Sequence, residues 1–164
     1  MVQKLDEEID FGIIDTPLGP FQIGYKKEII YQAYFRIKSL DNTILFIDNQ
    51  FIRTISKQFQ EYFSGRRKSF EFKLAPDGTI FQKNVWQKLQ SIPFGETRSY
   101  QEIAIALGGK DKTRAVATAI AKNPLLIFIP CHRVIGTNGK LTGFSGGLER
   151  KSRLLEFEGN RIDF

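Results

Sequence analysis

The segment FGIIDTPLGPFQIGYKKEIIYQAYFRI, beginning at Phe11, alternates β-branched and aromatic residues with polar ones and is broken by Pro17, Gly19 and Pro20. That alternation predicts strands, the first two forming a hairpin over Phe11–Tyr25. The pattern then changes period. In NQFIRTISKQFQEYF (49–63), Phe51, Ile55, Phe59 and Phe63 recur every fourth position, the spacing of one helical face, and Ser64-Gly65 stops the run. RRKSFEFKL (66–74) predicts another strand.

LAPDGT, Leu74–Thr79, has the composition of a linker. Beyond it, IFQKNVWQKLQSI predicts an amphipathic helix that carries the only tryptophan, Trp86, and PFGETR a turn. Ser99-Tyr100-Gln101-Glu102 has the form of a capping box: the serine hydroxyl takes one orphan N–H, and the glutamate reaches back to the serine N–H. The helix it opens runs through Ile103, Ala104 and Leu107 and stops at Gly108-Gly109. Asp111 is expected to cap the next helix, which buries Val116, Ala119 and Ile120 and ends where Asn123 meets Pro124. Two short helices joined by a glycine-containing turn form a helix-turn-helix pattern. PLLIFIP (124–130) then predicts a buried strand.

The outward face of the second helix carries Lys112, Thr113, Arg114, Ala117, Thr118, Ala121 and Lys122. Small side chains let a helix backbone approach a groove closely while flanking cations meet phosphates. An ordinary solvated face would hold more Glu and Gln. Charge points the same way: the net charge is +6 and the pI near 9.5, which favours a polyanionic partner.

With 164 residues, 41% of them hydrophobic, the chain can build one ordinary domain or two small ones around a real core. A lone cysteine cannot form an internal disulfide, which fits a reducing compartment, and one Cys with one His cannot make a typical structural zinc site. The first residues contain no signal-peptide-like apolar run, and runs such as Leu125–Ile129 are far too short for a bilayer. The expectation is a soluble, cytoplasmic protein with no metal and no membrane partner.

The single cysteine, Cys131, is followed by the single histidine, His132. This sets the strongest nucleophile among side chains beside the one that titrates near neutral pH. Neighbours on a strand face opposite ways, so direct contact between them is awkward, and a water relay or a tight turn is the more reasonable link. A buried structural Cys preceding a surface His is the other reading of the pair.

At this point the residues carry a resemblance. GTIFQKNVWQKLQSIPFGETRSYQEIAIALG, RAVATAIAKNP, IPCHRVIG and GFSGGLERKSRLLEFEG occur in the order and spacing of the O6-alkylguanine-DNA alkyltransferases, the methylated-DNA–protein-cysteine methyltransferases. The likeness runs from Gly78 to Gly159, and TPLGPFQIGY resembles the family's opening hairpin. It implies an α/β (α+β) protein: an N-terminal ribonuclease-H-like α/β support domain over 1–74, a linker over 75–79 and a C-terminal winged helix-turn-helix domain over 80–164. It also implies stoichiometric, irreversible transfer of an alkyl group from guanine O6 to Cys131, with no cofactor and no metal.

The resemblance extends to other positions. His132 matches the base that acts through a bridging water, and Glu158 the carboxylate that orients it. Tyr100 matches the proton donor to the base ring, and Asn123 the hinge that ties the recognition helix to the active-site strand. Arg114 matches the finger that fills the stack when the base is flipped, and Ser145 the loop near O6. Backbone groups at Cys131 and Val134 resemble those that read the guanine edge, and Thr113, Ala115, Ala117 and Gln101 belong to the implied substrate and DNA surface. Arg133 resembles a structural residue, and Phe144 stands where the family usually has Tyr. The implied partner is duplex DNA containing O6-alkylguanine, entered from the minor groove by a monomer, with cooperation between copies left open. Three other functions are to be separated from this one: a damage-binding module, which Cys131 argues against; a transcriptional regulator; and a Cys–His hydrolase with repeated turnover.

Overall fold

The computed structural model describes residues 9–35 and 46–160, and the chain divides into two compact units, Met1–Pro76 and Asp77–Phe164. In the first unit, strands β1 (Asp10–Thr16), β2 (Gly19–Lys26), β3 (Ile29–Tyr34) and β4 (Lys73–Leu74) lie in that order in one sheet, with helix α1 (Gln50–Phe63) against it. The first two pairings are antiparallel and the last is parallel. The hairpin closes with Thr16 opposite Gly19, and the Thr16 hydroxyl donates to the Gly19 carbonyl at 2.7 Å.

α1 starts at Asn49, whose side chain accepts from the Ile52 N–H at 3.0 Å. It packs close to β1 because Gly12 has no side chain: a Cβ there would overlap Ile52. The buried stripe is Ile52, Ile55, Phe59 and Tyr62, one step round from the expected one; Phe51 and Phe63 are its half-exposed flanks. Each large apolar side chain on that stripe contributes about 1.5–3 kcal/mol by leaving water. The strand expected over 66–74 shrinks to Lys73–Leu74. Phe70 and Phe72 are used instead to cover α1, with ring centroids 4.8 Å from Phe59 and 5.8 Å from Phe51, and that aromatic packing overrides strand pattern. The end of the Phe11–Ile37 pattern falls partly outside the described residues.

The second unit holds α2 (Ile80–Gln90), β5 (Arg98–Ser99), α3 (Tyr100–Ala106), α4 (Thr113–Ala121), β6 (Val134–Ile135) and α5 (Leu148–Phe157). β5 and β6 pair in parallel. The expected capping box is present: Ser99 Oγ accepts from the Glu102 N–H at 3.1 Å and Glu102 Oε2 from the Ser99 N–H at 2.6 Å. Gly108, at φ +113°, ends the first helix of the pair as the sequence suggests. Trp86 on α2 is fully buried and donates its indole N–H to the Ala119 carbonyl at 2.9 Å, fixing α4 against α2.

Two local expectations fail. Asp111 does not cap α4, because Lys110–Lys112 form a 3-10 turn, Lys112 precedes the helix without a side-chain cap, and the Asp111 carboxylate folds back toward Gly109. The segment 124–130 is buried as expected but is not a strand. Asn123 ties both its ends, with Oδ1 accepting from the Leu125 N–H and Nδ2 donating to the Ile129 carbonyl, both at 2.9 Å. These side-chain bonds replace a ladder and force a compact turn with Ile127 at φ +71°. No helix among the described residues is long and apolar enough to cross a membrane.

Candidate active site

The turn held by Asn123 delivers the chain into Pro130 and then a single 3-10 turn, Cys131–Arg133, whose three side chains are all buried. Successive side chains on such a turn lie about 120° apart. His132 is therefore not thrown to the far side of Cys131, as it would be on a strand. Both His132 and Arg133 converge on the carboxylate of Glu158, the residue that closes α5. His132 Nε2 lies 2.9 Å from Oε1; Arg133 donates from Nε to Oε2 and from Nη2 to Oε1, each at 2.9 Å, and from Nη1 to the Ile92 carbonyl at 2.6 Å.

The protonation states follow. Burial alone would raise the Glu158 carboxyl, but the hydrogen bonds from His132 and Arg133 and the charge of the Arg133 guanidinium more than offset it and hold the group well below the usual carboxylate range. An ionised carboxylate only accepts, so the proton of the imidazole is assigned to Nε2. Burial lowers the pKa of His132 despite the adjacent carboxylate, which keeps the ring neutral and leaves a lone pair on Nδ1. Among the described residues, Nδ1 is the one buried side-chain nitrogen or oxygen without a hydrogen-bond partner in the protein. A basic atom is thus held ready one residue from the thiol.

Cys131 is 4% exposed, and burial pushes its thiol up to about 11. Asn123, Lys151 and the backbone N–H groups of Cys131 and His132 pull the other way. At neutral pH the resting group is therefore a thiol. A nucleophile in that state needs a base at the moment of reaction.

The same unit holds a cavity of about 560 Å³, lined by Tyr100 and Gln101 from α3, Thr113, Arg114 and Ala117 from α4, and Thr142 and Gly143 among others; the buried Cys131, His132 and Glu158 do not line it. Tyr100 donates its hydroxyl to the Thr142 carbonyl at 3.0 Å. Burial raises its pKa, so the phenol keeps its proton. The Tyr100 ring and the Cys131 sulfur are close enough to interact electrostatically.

Not every expected residue reaches this cavity. Ala115 is exposed on α4 and lines a second, shallower groove of about 640 Å³ with Thr79, Phe81 and Asp111; Arg114 borders both. Ser145 is exposed and lines neither cavity. Val134 is buried, its N–H given to the Cys131 carbonyl and its own carbonyl to Lys151. Lys112, expected among the outward cations, donates instead to the Leu107 carbonyl at the end of α3.

Lys151 is the residue that sequence reading missed. It is 0% exposed, and its ammonium donates to the carbonyls of Val134 at 2.6 Å, Thr142 at 2.7 Å and Gly143 at 3.4 Å. The signal was present in LERKSRLLEFEG: Lys151, Leu154, Leu155 and Glu158 share helical spacing, so a lysine and a glutamate sit on an inward stripe.

Both units resemble known proteins. Residues 80–160 match the DNA-binding domain of 6-O-methylguanine DNA methyltransferases, and residues 9–76 match their ribonuclease-like domain. A methylated-DNA–protein-cysteine methyltransferase of Methanosarcina acetivorans is 44% identical over 153 residues, covering 92% of this chain and 98% of that one. The crystal structure of Mycobacterium tuberculosis O6-methylguanine methyltransferase superposes with a TM-score of 0.83 at 39% identity over 92% of each chain. The Mycobacterium tuberculosis protein solved in complex with DNA gives 0.82 at 39% identity, covering 92% of this chain and 93% of that one. Over both of its units, therefore, the chain belongs to the 6-O-methylguanine DNA methyltransferase family.

Proposed function

We propose that this chain repairs DNA by transferring the alkyl group of O6-alkylguanine in a duplex to the sulfur of Cys131, once per molecule. The observation that carries the reading is the His132 imidazole, whose Nε2 is locked on an ionised Glu158 and whose buried Nδ1 has no protein partner. Nδ1 takes the thiol proton through a bridging water. The sulfur then attacks the alkyl carbon, the carbon–oxygen bond breaks, and its electron pair stays on the purine. Tyr100 offers a proton to the ring, so that neutral guanine leaves, and the proton taken up by the imidazole is returned through solvent to the tyrosinate. Thiol and alkyl ether become thioether and guanine, and atoms balance without a cofactor. No base in the site can cleave a thioether, which makes the transfer irreversible and the protein stoichiometric. Family membership and the relatives named for this activity support the assignment.

The target atom is stacked inside the duplex, so the base has to be extruded at a cost of a few kcal/mol. The cavity between α3, α4 and the 142–143 loop has the volume to take it. α4 enters the minor groove with small residues such as Ala115 and Ala117 at the contact, and Arg114 fills the vacated stack. Their position, exposed or half-exposed on one helix, supports this. Asn123 is the hinge between α4 and the Cys131 turn, Ser145 lies on the loop nearest O6, and Val134 presents backbone to the guanine edge. The protein acts as a monomer in the cytoplasm, organised as a support domain (1–74), a linker (75–79) and a reactive domain (80–164).

The experiment is incubation with a duplex carrying O6-methylguanine, followed by digestion and mass spectrometry. One methyl per molecule on the Cys131 peptide is expected, with Cys131→Ala binding the duplex and taking none. Turnover beyond one equivalent would make the protein a hydrolase, and retained binding with unmodified Cys131 would make it a binding module.

A further inference from the structure

Lys151 has no part in the transfer described so far, yet the fold places its charge in the middle of the site. Burying a lysine without a carboxylate partner is expensive, and the cost is normally relieved by hydrogen bonds or by loss of the proton. Here the ammonium bonds three backbone carbonyls from two separate stretches: Val134, which follows the Cys131 turn, and Thr142 and Gly143, which wall the cavity. The Thr142 oxygen also accepts from Tyr100, and the ammonium lies 5.8 Å from the centre of the Tyr100 ring. Its hydrogen bonds all go to carbonyls and none to a carboxylate, whereas the Cys131 sulfur interacts with it electrostatically. A cation without an acidic partner beside a nucleophile that must become an anion is suited to stabilising that anion.

We propose that Lys151 is a positioning residue of this site: it ties the 142–143 wall to the strand after Cys131, and its charge makes the Cys131 thiolate accessible. The inference rests on the alkyl-transfer reading for its purpose but not for its test. The groups facing the pair are few. Tyr100 faces it from α3, His132 from the 3-10 turn with Arg133 and Glu158 behind it, and Asn123 contributes a neutral amide. Burial lowers Lys151 to about 8. The carboxyl of Glu158 and the imidazole titrate well below that, and Tyr100 well above, so Lys151 alone among them changes charge between pH 7 and its own midpoint. Ammonium and thiolate support each other. Once the ammonium loses its proton, the thiolate loses that support.

The test uses the intact chain, no DNA, and iodoacetamide, whose rate of S-alkylation follows the thiolate fraction. For the wild type the rate should climb about tenfold per pH unit up to about 8 and then flatten as Lys151 deprotonates. A uniform climb through that region would overturn the proposal. Lys151→Met should alkylate at least about tenfold more slowly at pH 7, because losing an opposite charge shifts a thiol by about one unit or more. Lys151→Arg should restore most of the rate and remove the flattening. A purely structural lysine would alter stability and leave the pH profile unbroken. If Lys151→Met does not fold, the wild-type profile decides by itself. Failure of wild-type protein to take methyl from O6-methylguanine DNA would strike the function and leave this result standing.

Discussion

Arg133 and Glu158 form a two-point ion pair in the interior, with Nε and Nη2 each 2.9 Å from a different carboxylate oxygen. The same carboxylate orients His132, so one anion serves both the packing of the unit and the base of the proposed reaction.

Glu158→Gln separates those duties. Removing one partner of a buried pair leaves the other charge uncompensated, at a cost of about 3–5 kcal/mol. The second unit should lose that stability in urea, followed by the fluorescence of buried Trp86, the only tryptophan. Alkyl transfer should fall as well, since a neutral amide no longer stabilises the imidazolium.

The same groups set the acid response. Glu158 titrates below its ordinary 4.5 in the folded chain, so its contribution is complete above that value and is lost as pH falls from there toward the folded value. His132 is lowered from 6.5, so the unfolded state binds the extra proton below that pH and stability drops further. Wild-type stability should therefore decline on acidification from about pH 6.5, and Glu158→Gln should show a shallower decline below pH 4.5. Urea midpoints across pH 3–8 measure both slopes.

Arg114→Ala tests the proposed DNA surface. The side chain is exposed and borders both cavities on α4, so stability should change by less than about 0.5 kcal/mol. Duplex affinity and transfer should both weaken. Wild-type binding should fall with salt, and if Arg114 only meets a phosphate, the variant's salt slope should drop by about one. A lost transfer rate with an unchanged salt slope would favour the stacking finger.

What the sequence made legible divides along physical lines. Motifs governed by local chemistry came through: the Ser99–Glu102 box, the stop at Gly108 and the Val116–Ala119–Ile120 stripe all depend on residues within a turn of one another. The resemblance pointed to Cys131, His132 and Glu158, and the fold brings the last two to 2.9 Å although 26 positions separate them. The errors arose where a nonlocal partner decided the outcome. Segment 124–130 has a strand's composition, but Asn123 closes it into a turn; Phe70 and Phe72 have a strand's alternation, but α1 uses them as cover. The inward stripe of α5 places Lys151 inside, but what it does there is not legible, because its acceptors are backbone carbonyls, which carry no sequence signature.

Asn123→Ala removes the clasp on that turn. The buried Leu125 N–H loses its side-chain acceptor, at about 1–3 kcal/mol, while the Ile129 carbonyl loses the amide but keeps the Cys131 N–H at 2.7 Å. The Cys131 thiol also loses a hydrogen bond that lowers its pKa. Thermal unfolding should move to lower temperature, and iodoacetamide should react more slowly with Cys131 at a given pH wherever the turn survives. A variant with wild-type stability would show that the turn is held by its apolar packing instead.

Tyr100→Phe tests the proposed proton donor separately from the shape of the cavity. The ring stays, and the hydroxyl lost was bonded to a Thr142 carbonyl that Lys151 continues to satisfy at 2.7 Å. No buried acceptor is orphaned, so the stability change should stay within about 1 kcal/mol. Binding to undamaged duplex should also be unchanged, because the hydroxyl faces the cavity wall and the cationic surface of α4 is untouched. The transfer step is different: without a donor the guanine leaves as an anion, and a positioned general acid is worth about 10²–10⁴-fold. Single-turnover rates on an O6-methylguanine duplex should fall by about that factor while affinity holds. An unchanged rate would remove Tyr100 from the chemistry and leave protonation of the leaving base to solvent.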